Sequence, residues 1–342
     1  MNIIEKEIEG YEQVKICKDE ESGLKAVIAI HSTTLGPAVG GTRFWWYDDK
    51  TDFFNDALKL SKAMTYKASM AGLWFGGGKG VVRVMPKMKT KTLLQTYGKF
   101  IDTFNGRFIT GEDVGCTMAD VRILKEVTPY ITGLKESPAP STARGVINGM
   151  KACAEEVFGE ANLDGLDIAV QGIGSVGYSL VELLLQEKVR RIVIADINRV
   201  RLSDISHDKI YKESVENICF VPCDIFAPCA LGGILNSETI PKLNCNIVAG
   251  AANNQLMDEE AGKSLKEKGI LYAPDYVINA GGLIRIAFEW LDRTDFEDKV
   301  NGIGDTIRRI ISEAKERDCT TDYIADILAQ ERILREDRSH WK

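Results

Sequence analysis

The order of apolar and polar residues along the chain predicts a mixture of strands and helices. Apolar runs at residues 24–30 and 81–84 predict strands, and apolar positions three and four apart predict a helix over 55–71. In the second half, apolar runs at 167–171 and 191–195 flank a further helical pattern. Both kinds of element in one chain indicate an α/β protein.

The second half continues this alternation, with further apolar runs at 246–249 and 270–272. Strands that alternate with helices assemble into a parallel sheet with helices on both faces, the doubly wound arrangement. The first third alternates short apolar runs with polar turns. The predicted fold class is therefore α/β with two domains, an N-terminal α/β domain and then a doubly wound domain.

The segment Ser-Pro-Ala-Pro-Ser-Thr at 137–142 is the predicted domain boundary. A chain of 342 residues suits two domains at roughly 150 residues each. Two prolines favour an extended crossing, after which a helix is expected from about Arg144. We expect the first domain to cover 1–135 and the second to cover 136–319.

Composition and charge exclude several classes of protein. Hydrophobic residues make up 44% of the chain and charged residues 27%, the balance of a soluble globular protein. The net charge of −7 argues against a nucleic-acid binder. No apolar stretch of about 18 residues occurs, and the acidic start lacks the basic-then-apolar pattern of a secretory signal. We expect no membrane association and a cytoplasmic location.

The eight cysteines and three histidines favour neither a metal site nor a hydrolase triad. Three cysteines cluster within 219–229, but the chain has no Cys-x-x-Cys pair and no histidine near that cluster. Reduced thiols and no bound metal are the prediction. Because histidine is scarce, a different general base is expected if the protein is an enzyme.

A glycine-rich turn follows the predicted strand at 167–171 and precedes a helix. In this Gly-x-Gly-x-x-Gly motif, Gly172 permits the tight turn, Gly174 lets a pyrophosphate approach the backbone, and Gly177 lets helix and strand pack closely. The first helical N–H groups would then face the phosphates. The dinucleotide-binding residues predicted from the motif are Gly172, Gly174, Ser175, Val176 and Gly177.

Asp196 follows the next predicted strand, where a carboxylate accepts hydrogen bonds from the adenosine ribose and repels a 2′-phosphate. The second domain is therefore predicted to be a Rossmann domain that binds NAD rather than NADP, although Arg199 and Arg201 lie close enough to soften that preference. A dinucleotide fingerprint does not specify a reaction. An NAD-dependent enzyme and a non-catalytic NAD-binding regulator both fit it.

Two lysines and an aspartate stand out in the first domain by their surroundings. Lys67 follows Met-Thr-Tyr, Lys79 follows three glycines, and Asp113 lies between Gly-Glu and Val-Gly. Taken singly, the lysines would be solvated and the aspartate would belong to a turn. Spacing alone does not select them.

These residues belong to a set of stretches that together resemble a known family. The stretches are 35–43, the segments around Lys67, Lys79 and Asp113, and 172–177, 223–232, 252–256 and 273–282. In this order, over nearly the whole chain, the sequence resembles the Glu/Leu/Phe/Val dehydrogenase family, the NAD-dependent dehydrogenases of leucine, valine, phenylalanine and tryptophan.

The resemblance implies oxidative deamination of an L-amino acid to a 2-oxo acid and ammonia. Lys67, helped by Asn254, would hold the substrate carboxylate. Lys79 would be the general base that activates water, since burial and a nearby positive charge favour a neutral amine. Asp113 would exchange protons with the substrate nitrogen, and Gly40 would bring the backbone close to the substrate.

The resemblance also implies how the second domain takes part. Thr142 and Asn253 match positions near the nicotinamide, and Ala230 is a further cofactor-binding position. The active site would lie in the cleft between the domains. The C-terminal helix, within 320–342, would pack back on the first domain, and the chain would form a homo-oligomer, a dimer or an octamer.

Specificity is expected in apolar wall residues, because the α-carbon ends of all candidate substrates are alike. The walls implied by the resemblance are Val39, Gly111, Leu283 and Ile286, with Met64 nearby. Branched-chain enzymes tend to carry Ala and Val where this chain has Gly111 and Leu283, which favours an aromatic substrate, Phe or Trp. A leucine or valine dehydrogenase is the alternative, in which Gly111 is only a backbone requirement.

Two features depart from the family pattern. The segment 132–138 is shorter than the loop usual before the boundary, and Arg285 stands where relatives carry Asn or Gln. The guanidinium of Arg285 would either meet a polar substrate group or point to solvent.

Overall fold

The computed structural model describes residues 1–49 and 51–335, which divide into two compact units. Unit 1 comprises 1–136, 286–294 and the described residues from 329 on, and unit 2 comprises 137–285 and 295–328. No helix in the described part of the chain has the length and apolarity needed to cross a membrane.

Unit 1 is built on a mixed sheet of seven described strands. They are β1 (Asn2–Lys6), β2 (Gln13–Asp19), β3 (Leu24–Ser32), β4 (Ala38–Val39), β5 (Thr42–Trp45), β6 (Gly76–Arg83) and β7 (Phe108–Ile109). The strand order is β1-β2-β3-β6-β4-β7, and β5 also pairs with β6. The pairs β1–β2, β2–β3 and β3–β6 are antiparallel, whereas β4 and β5 run parallel to β6.

Helices cover both faces of this sheet. They are α1 (Asp52–Met70), α2 (Lys91–Asp102) and α3 (Met118–Lys125). Alternate residues of β3 enter different cores: Val27 and Ala29 pack with Phe53 of α1, while Ile28 and Ile30 pack with the aromatic face of α2. Because both faces are buried, β3 has the continuous apolar sequence of a covered strand.

Unit 2 is built on six parallel strands. They are β8 (Asp167–Gln171), β9 (Arg191–Ala195), β10 (Ile210–Lys212), β11 (Ile225–Pro228), β12 (Ile247–Val248) and β13 (Leu271–Tyr272). The order β10-β9-β8-β11-β12-β13 is the 3-2-1-4-5-6 order of a dinucleotide-binding sheet. The direction of winding therefore reverses between β8 and β11, where ligands bind in such sheets.

The remaining α-helices precede, alternate with or follow the strands of this sheet along the chain. They are α4 (Ala139–Phe158), α5 (Ser175–Gln186), α6 (Arg199–Ser203), α7 (Glu259–Glu267), α8 (Asp275–Ile278), α9 (Gly281–Trp290), α10 (Glu297–Asn301), α11 (Ile303–Glu316) and α12 (Thr321–Arg335). The predicted α/β fold class, with a doubly wound second half, is confirmed.

Two predicted boundaries are wrong, and both have a local cause. The strand expected from 81 begins at Gly76, because a glycine strand can lie where side chains do not fit: a Cβ on Gly77 would lie 2.0 Å from the Thr65 nitrogen. The helix expected near Arg144 begins at Ala139. Its Pro140 falls in the first turn, where a missing N–H costs nothing.

The C-terminal helix supplies contacts to α1 within unit 1. Ser69 Oγ donates to the Ala329 carbonyl at 2.9 Å, and the Arg332 guanidinium donates to the carbonyls of Ser69 and Leu73 at 2.7 and 2.8 Å. The bonds from Arg332 reach carbonyls at the end of α1 and just beyond it, where a helix leaves its last carbonyls without intrahelical donors. The last part of the predicted helix, 336–342, lies outside the described residues.

Candidate functional site

A gap between two short strands places backbone beside Lys79. β4 ends at Val39, opposite Gly77, and β5 begins at Thr42, opposite Gly80. The intervening Gly40 and Gly41 therefore lie alongside the centre of β6. A Cβ on Gly40 would come within 1.8 Å of the Gly78 carbonyl oxygen, so only glycine fits there.

The two residues predicted to be catalytic form an ion pair. Lys79 Nζ lies 3.0 Å from Asp113 Oδ2, and the Lys79 side chain is only 5% exposed. Asp113 belongs to the loop after β7, and this loop runs along β5, where Thr42 N–H donates to the Gly111 carbonyl. Gly41 permits that approach, because a Cβ there would lie 2.8 Å from the Asp113 Cβ.

Arg43 joins the pair, a residue that sequence reasoning placed in a family stretch without a role. Its Nε donates to the same Asp113 Oδ2 at 3.0 Å, and its Nη1 donates to Asp56 Oδ2 at 2.9 Å. The Tyr47 hydroxyl also donates to Asp56, at 2.5 Å. The sequence signal that could have identified Arg43 was its place two residues after Gly41, on the short strand β5 that pairs with β6, the strand of Lys79.

The charges of this cluster reinforce each other. Burial by itself raises the pKa of Asp113, but Lys79 and Arg43 outweigh it, and the net pKa lies below the usual range. Burial lowers the pKa of Arg43, and Asp113 and Asp56 more than restore it. Asp113 is therefore a carboxylate at neutral pH, and Arg43 keeps its charge.

Helix α1 carries the other two predicted residues of this half of the site. Met64 has its Cγ 3.4 Å from the position that a Cβ on Gly40 would occupy, and Val39, the residue before Gly40, is 2% exposed. Lys67 lies in the last turn of α1, two residues after Thr65, which packs on Gly77. Val39, Gly40 and Met64 thus gather around the glycine gap.

Gly111 has a backbone reason to be glycine. A Cβ there would lie 2.7 Å from the Thr132 carbonyl oxygen, a contact that needs a backbone shift. Thr132 is itself fixed, because its Oγ1 donates to the Ile286 carbonyl at 3.1 Å. The short loop that follows is held as well, since Leu134 N–H donates to Glu289 at 2.7 Å.

The glycine motif of unit 2 forms an open cradle at the point where the sheet winding reverses. Gly172 has a φ of +94°, and a Cβ on it would strike the Ala230 Cβ at 2.7 Å. A Cβ on Gly177 would lie 1.9 Å from the Gly172 oxygen, so helix α5 packs on the turn only through glycine. Gly174, in contrast, faces open space. Ser175 begins α5 directly after it. This geometry fits a dinucleotide pyrophosphate.

Asp196 is tied to this cradle. Its Oδ2 accepts the Ile173 N–H at 2.6 Å and its Oδ1 accepts the Asn198 N–H at 2.7 Å, with only 6% of the side chain exposed. Arg201 Nη1 lies 3.9 Å away. The carboxylate is therefore fixed beside the glycine turn and keeps lone pairs for ribose hydroxyls.

Two predicted residues of unit 2, Asn253 and Asn254, lie beside Gly232 and Asn279. Asn279 Nδ2 donates to Asn253 Oδ1 at 2.8 Å, and a Cβ on Gly232 would lie 2.7 Å from the Asn254 carbonyl oxygen. Thr142 is buried, and its Oγ1 donates to the Pro138 carbonyl. Asn279 was missed by sequence reasoning, although an amide at the end of the apolar run 276–278 was the signal.

Arg285 and Leu283 sit on the same helix, α9. Leu283 is 7% exposed. The Arg285 guanidinium stacks on the Phe296 ring, 4.5 Å from its centroid. A cation over an aromatic face is a contact that neither sequence alternative for Arg285 included.

Cysteines and carboxylates do not assemble into a metal site in the part of the chain that the structure describes. No group of three or more His, Cys, Asp or Glu side chains in residues 1–49 and 51–335 could hold a metal ion. All eight cysteines are free thiols.

Comparisons with known protein families and with relatives agree on one group. A model of the Glu/Leu/Phe/Val dehydrogenase dimerisation domain matches residues 7–130, and one of Glutamate/Leucine/Phenylalanine/Valine dehydrogenase matches 195–340. The chain is 49% identical to leucine dehydrogenase from Thermoactinomyces intermedius over 96% of this chain and 93% of that protein. It is 45% identical to L-tryptophan dehydrogenase from Nostoc punctiforme over 97% and 96%.

Solved structures extend the comparison. The crystal structure of L-tryptophan dehydrogenase from Nostoc punctiforme matches with a TM-score of 0.84 at 44% identity, covering 95% of this chain and 96% of that one. A hetero-hexameric glutamate dehydrogenase from Thermus thermophilus matches with a TM-score of 0.77 at 20% identity, covering 94% and 88%, and shows likeness of fold alone.

His31, at the end of β3, packs against helix α1, which carries Lys67. Its Nδ1 lies 2.9 Å from Thr65 Oγ1, and its ring packs edge-on against Tyr11 and Tyr66. Burial, and then the charge of Lys62, lower the pKa of His31 to about 4. The imidazole is therefore neutral in the folded protein at neutral pH.

Replacing His31 with Asn should reduce the pH dependence of stability. Unfolded histidine has a pKa near 6.5, so between about pH 6.5 and 4 the unfolded chain binds a proton that the folded chain does not. As the pH falls through this window, the free energy of unfolding of the wild type should fall. At pH 5 it should be about 1 kcal/mol lower than at pH 7.5, after allowing for the partial exposure of His31. Urea unfolding at pH 7.5 and pH 5 measures the difference, and equal losses in both proteins would contradict it.

Proposed function

The chain belongs to the Glu/Leu/Phe/Val dehydrogenase family and is an amino acid dehydrogenase of the leucine, tryptophan and valine type, and from that premise we propose that it reversibly deaminates an aromatic L-amino acid with NAD. The products are the 2-oxo acid, ammonia and NADH. The observation that carries the proposal is the buried ion pair of Lys79 with Asp113 beside the glycine gap. A non-catalytic NAD-binding regulator, the alternative from another class, would need no acid–base pair for chemistry.

Lys79 is proposed as the general base. The neutral amine accepts a proton from the water that adds to the iminium carbon, which gives the carbinolamine. The proton on Lys79 then passes to the carbinolamine nitrogen by way of Asp113. As ammonia leaves, the neutral Lys79 accepts the hydroxyl proton, and its positive charge stabilises the charge that develops on that oxygen. Burial of Lys79 to 5% exposure supports the role, because water competes little with these contacts.

Asp113 is proposed to serve the substrate nitrogen. Its carboxylate holds the ammonium form of the substrate and accepts or returns a proton as the nitrogen changes state. Both cations contact Oδ2, so the second oxygen remains as an acceptor. Lys67 and Asn254 are proposed to bind the substrate carboxylate, with Gly40 bringing backbone close to it.

The cofactor is proposed to be NAD. NAD, when bound, supplies the acceptor for the hydride that leaves the substrate α-carbon. The residues that would hold it are Thr142, Gly172, Gly174, Ser175, Val176, Gly177, Asp196, Ala230 and Asn253. The fixed carboxylate of Asp196 supports NAD over NADP, because a 2′-phosphate would meet a negative charge.

The substrate side chain is proposed to be aromatic, with Val39, Met64, Gly111, Leu283 and Ile286 as wall residues. Likeness to L-tryptophan dehydrogenase supports this. A branched-chain substrate is the second candidate, favoured by the 49% identity to a leucine dehydrogenase. The close contact between the Gly111 position and the Thr132 oxygen also favours a branched-chain substrate. The contact accounts for the glycine by backbone packing, so Gly111 need not indicate an enlarged pocket.

Self-association is part of the proposal. Residues 7–130 match the model of a dimerisation domain, which supports a homo-oligomer.

The first experiment measures NADH formation at alkaline pH with L-Phe, L-Trp, L-Leu, L-Val and L-Glu. Wild type is compared with Lys79→Ala and with Lys91→Ala, a control at a lysine that is 60% exposed and pairs with Glu126. We expect Phe or Trp to exceed Leu, Lys79→Ala to lose about 10²–10⁴-fold in kcat, and the control to match wild type.

Two other outcomes have separate meanings. A preference for Leu or Val would keep the roles of Lys79 and Asp113 and overturn the aromatic assignment. Turnover that survives in Lys79→Ala would overturn the assignment of the base.

Substitutions within the glycine motif test the cofactor cradle. Gly174→Ala adds a methyl group to open space, so stability should change by less than about 0.5 kcal/mol while NADH affinity falls at least about tenfold. Gly177→Ala should instead lower the melting temperature, because its Cβ would lie 1.9 Å from the Gly172 oxygen. Fluorescence titration of NADH and thermal unfolding separate the two effects. Wild-type affinity in Gly174→Ala would place the pyrophosphate elsewhere.

A further inference from the structure

Arg43 reaches the catalytic pair because of the register between β5 and β6. Arg43 lies directly opposite Val81, and Lys79 lies two residues before Val81 on the same strand. Directly paired residues, and residues two apart on one strand, share a face of the sheet. Arg43 and Lys79 therefore emerge on the same face, the one that packs against α1, where Val81 meets Phe53.

The guanidinium of Arg43 connects two carboxylates. Its Nε holds Asp113 Oδ2 at 3.0 Å while its Nη1 holds Asp56 Oδ2 at 2.9 Å. Arginine suits this position because its planar group carries donors in fixed directions, whereas a lysine offers one point charge. Tyr47 donates to the same Asp56 oxygen and so fixes the far end of the network.

The charges in this network balance in number. Arg43 and Lys79 face Asp113 and Asp56, and each of these side chains except Lys79 is 22 to 23% exposed. Removing one member from such a partly buried set leaves an unpaired charge, which is costly. The carboxylate of Asp113 therefore needs a cation beside it whenever Lys79 is neutral, and Arg43 is the cation that remains.

A base must give up its proton during turnover, and this creates a demand on Asp113. When Lys79 is neutral, the carboxylate of Asp113 loses one of its two cations. A guanidinium does not deprotonate in proteins, so Arg43 keeps its charge throughout. Asp113 then stays ionised and in place at the moment when its oxygen must serve the substrate nitrogen.

We propose that Arg43 is a positioning residue of this site, the permanent cation that holds Asp113 ionised and oriented while Lys79 changes its protonation state. Asp56 and Tyr47 hold Arg43 in turn. The inference rests on the proposed function, because it takes Lys79 as the base and Asp113 as the partner of the substrate nitrogen. Arg43 itself acts only through Asp113.

The groups around Asp113 allow its titration to be recognised. Lys79 faces it from β6 and Arg43 from β5, with Asp56 of α1 behind Arg43. The neutral groups nearby do not titrate in the working range: burial, and then the bond to Asp56, raise the pKa of Tyr47 well above its usual range, and burial raises the pKa of Cys116 to about 12. The adjacent Glu112 is exposed.

The test compares wild type, Arg43→Gln, Arg43→Lys and Arg107→Gln with the best substrate of the panel, as pH profiles of kcat and kcat/KM. Arg107 is a matched control, because it pairs with Glu12 in the same unit and is 44% exposed. In Arg43→Gln, kcat should fall about 100-fold with a smaller change in KM. The acid limb should move up by about one pH unit, because Asp113 loses a cation.

Arg43→Lys separates charge from geometry. It keeps a cation near Asp113 but cannot also hold Asp56, so kcat should fall about tenfold while the acid limb stays near its wild-type position. This variant also carries the test if Arg43→Gln does not fold, which near-UV circular dichroism would reveal. Arg107→Gln should match wild type in both readouts.

Each contrary result has a distinct meaning. The role of Arg43 is overturned if the wild type is active and Arg43→Gln keeps more than half of the wild-type kcat with an acid limb that does not move. The same holds if Arg43→Gln only lowers the melting temperature. If the wild type deaminates none of the amino acids, the proposed function fails first, and the role of Arg43 fails with it.

Discussion

The carboxylate of Asp113, shared between Lys79 and Arg43, is the contact on which the first unit depends. It joins three pieces of chain that are far apart in sequence: the central strand, the short parallel strand beside it, and the loop after β7. The glycines at 40 and 41 make this approach sterically possible. Close backbone packing and a partly buried ion pair therefore meet at the same place in the fold.

The second unit satisfies a different demand with the same means. Glycines at 172 and 177 let strand, turn and helix pack without side chains, and Asp196 is bonded to the turn between them. The open space at Gly174 is what remains for a ligand. In both units, glycine is required where backbone meets backbone, and a fixed carboxylate stands beside the gap.

Sequence predicted the features that follow from local pattern and missed those that follow from tertiary packing. The dinucleotide motif was recognisable, because its glycines, strand and helix are contiguous. The glycine strand at 76–80 was not, since each glycine there has a reason only once the fold brings a neighbour against it: Ser32 at Gly76, Thr65 at Gly77, Phe108 at Gly78 and Tyr97 at Gly80. Arg43 and Asn279 escaped for the same reason: their partners are Asp113, Asp56 and Asn253, which the fold brings to them.

We propose that deamination requires the negative charge of Asp113 rather than its shape. Asp113→Asn keeps the shape and removes the charge that Lys79 and Arg43 share. With the preferred substrate, and with folding verified by circular dichroism, we predict that kcat falls at least about 100-fold while NADH affinity is unchanged. Removing the charge of an acid–base group should cost far more than tenfold in kcat. An Asp113→Asn variant that keeps more than about a tenth of wild-type kcat would therefore contradict this role of Asp113.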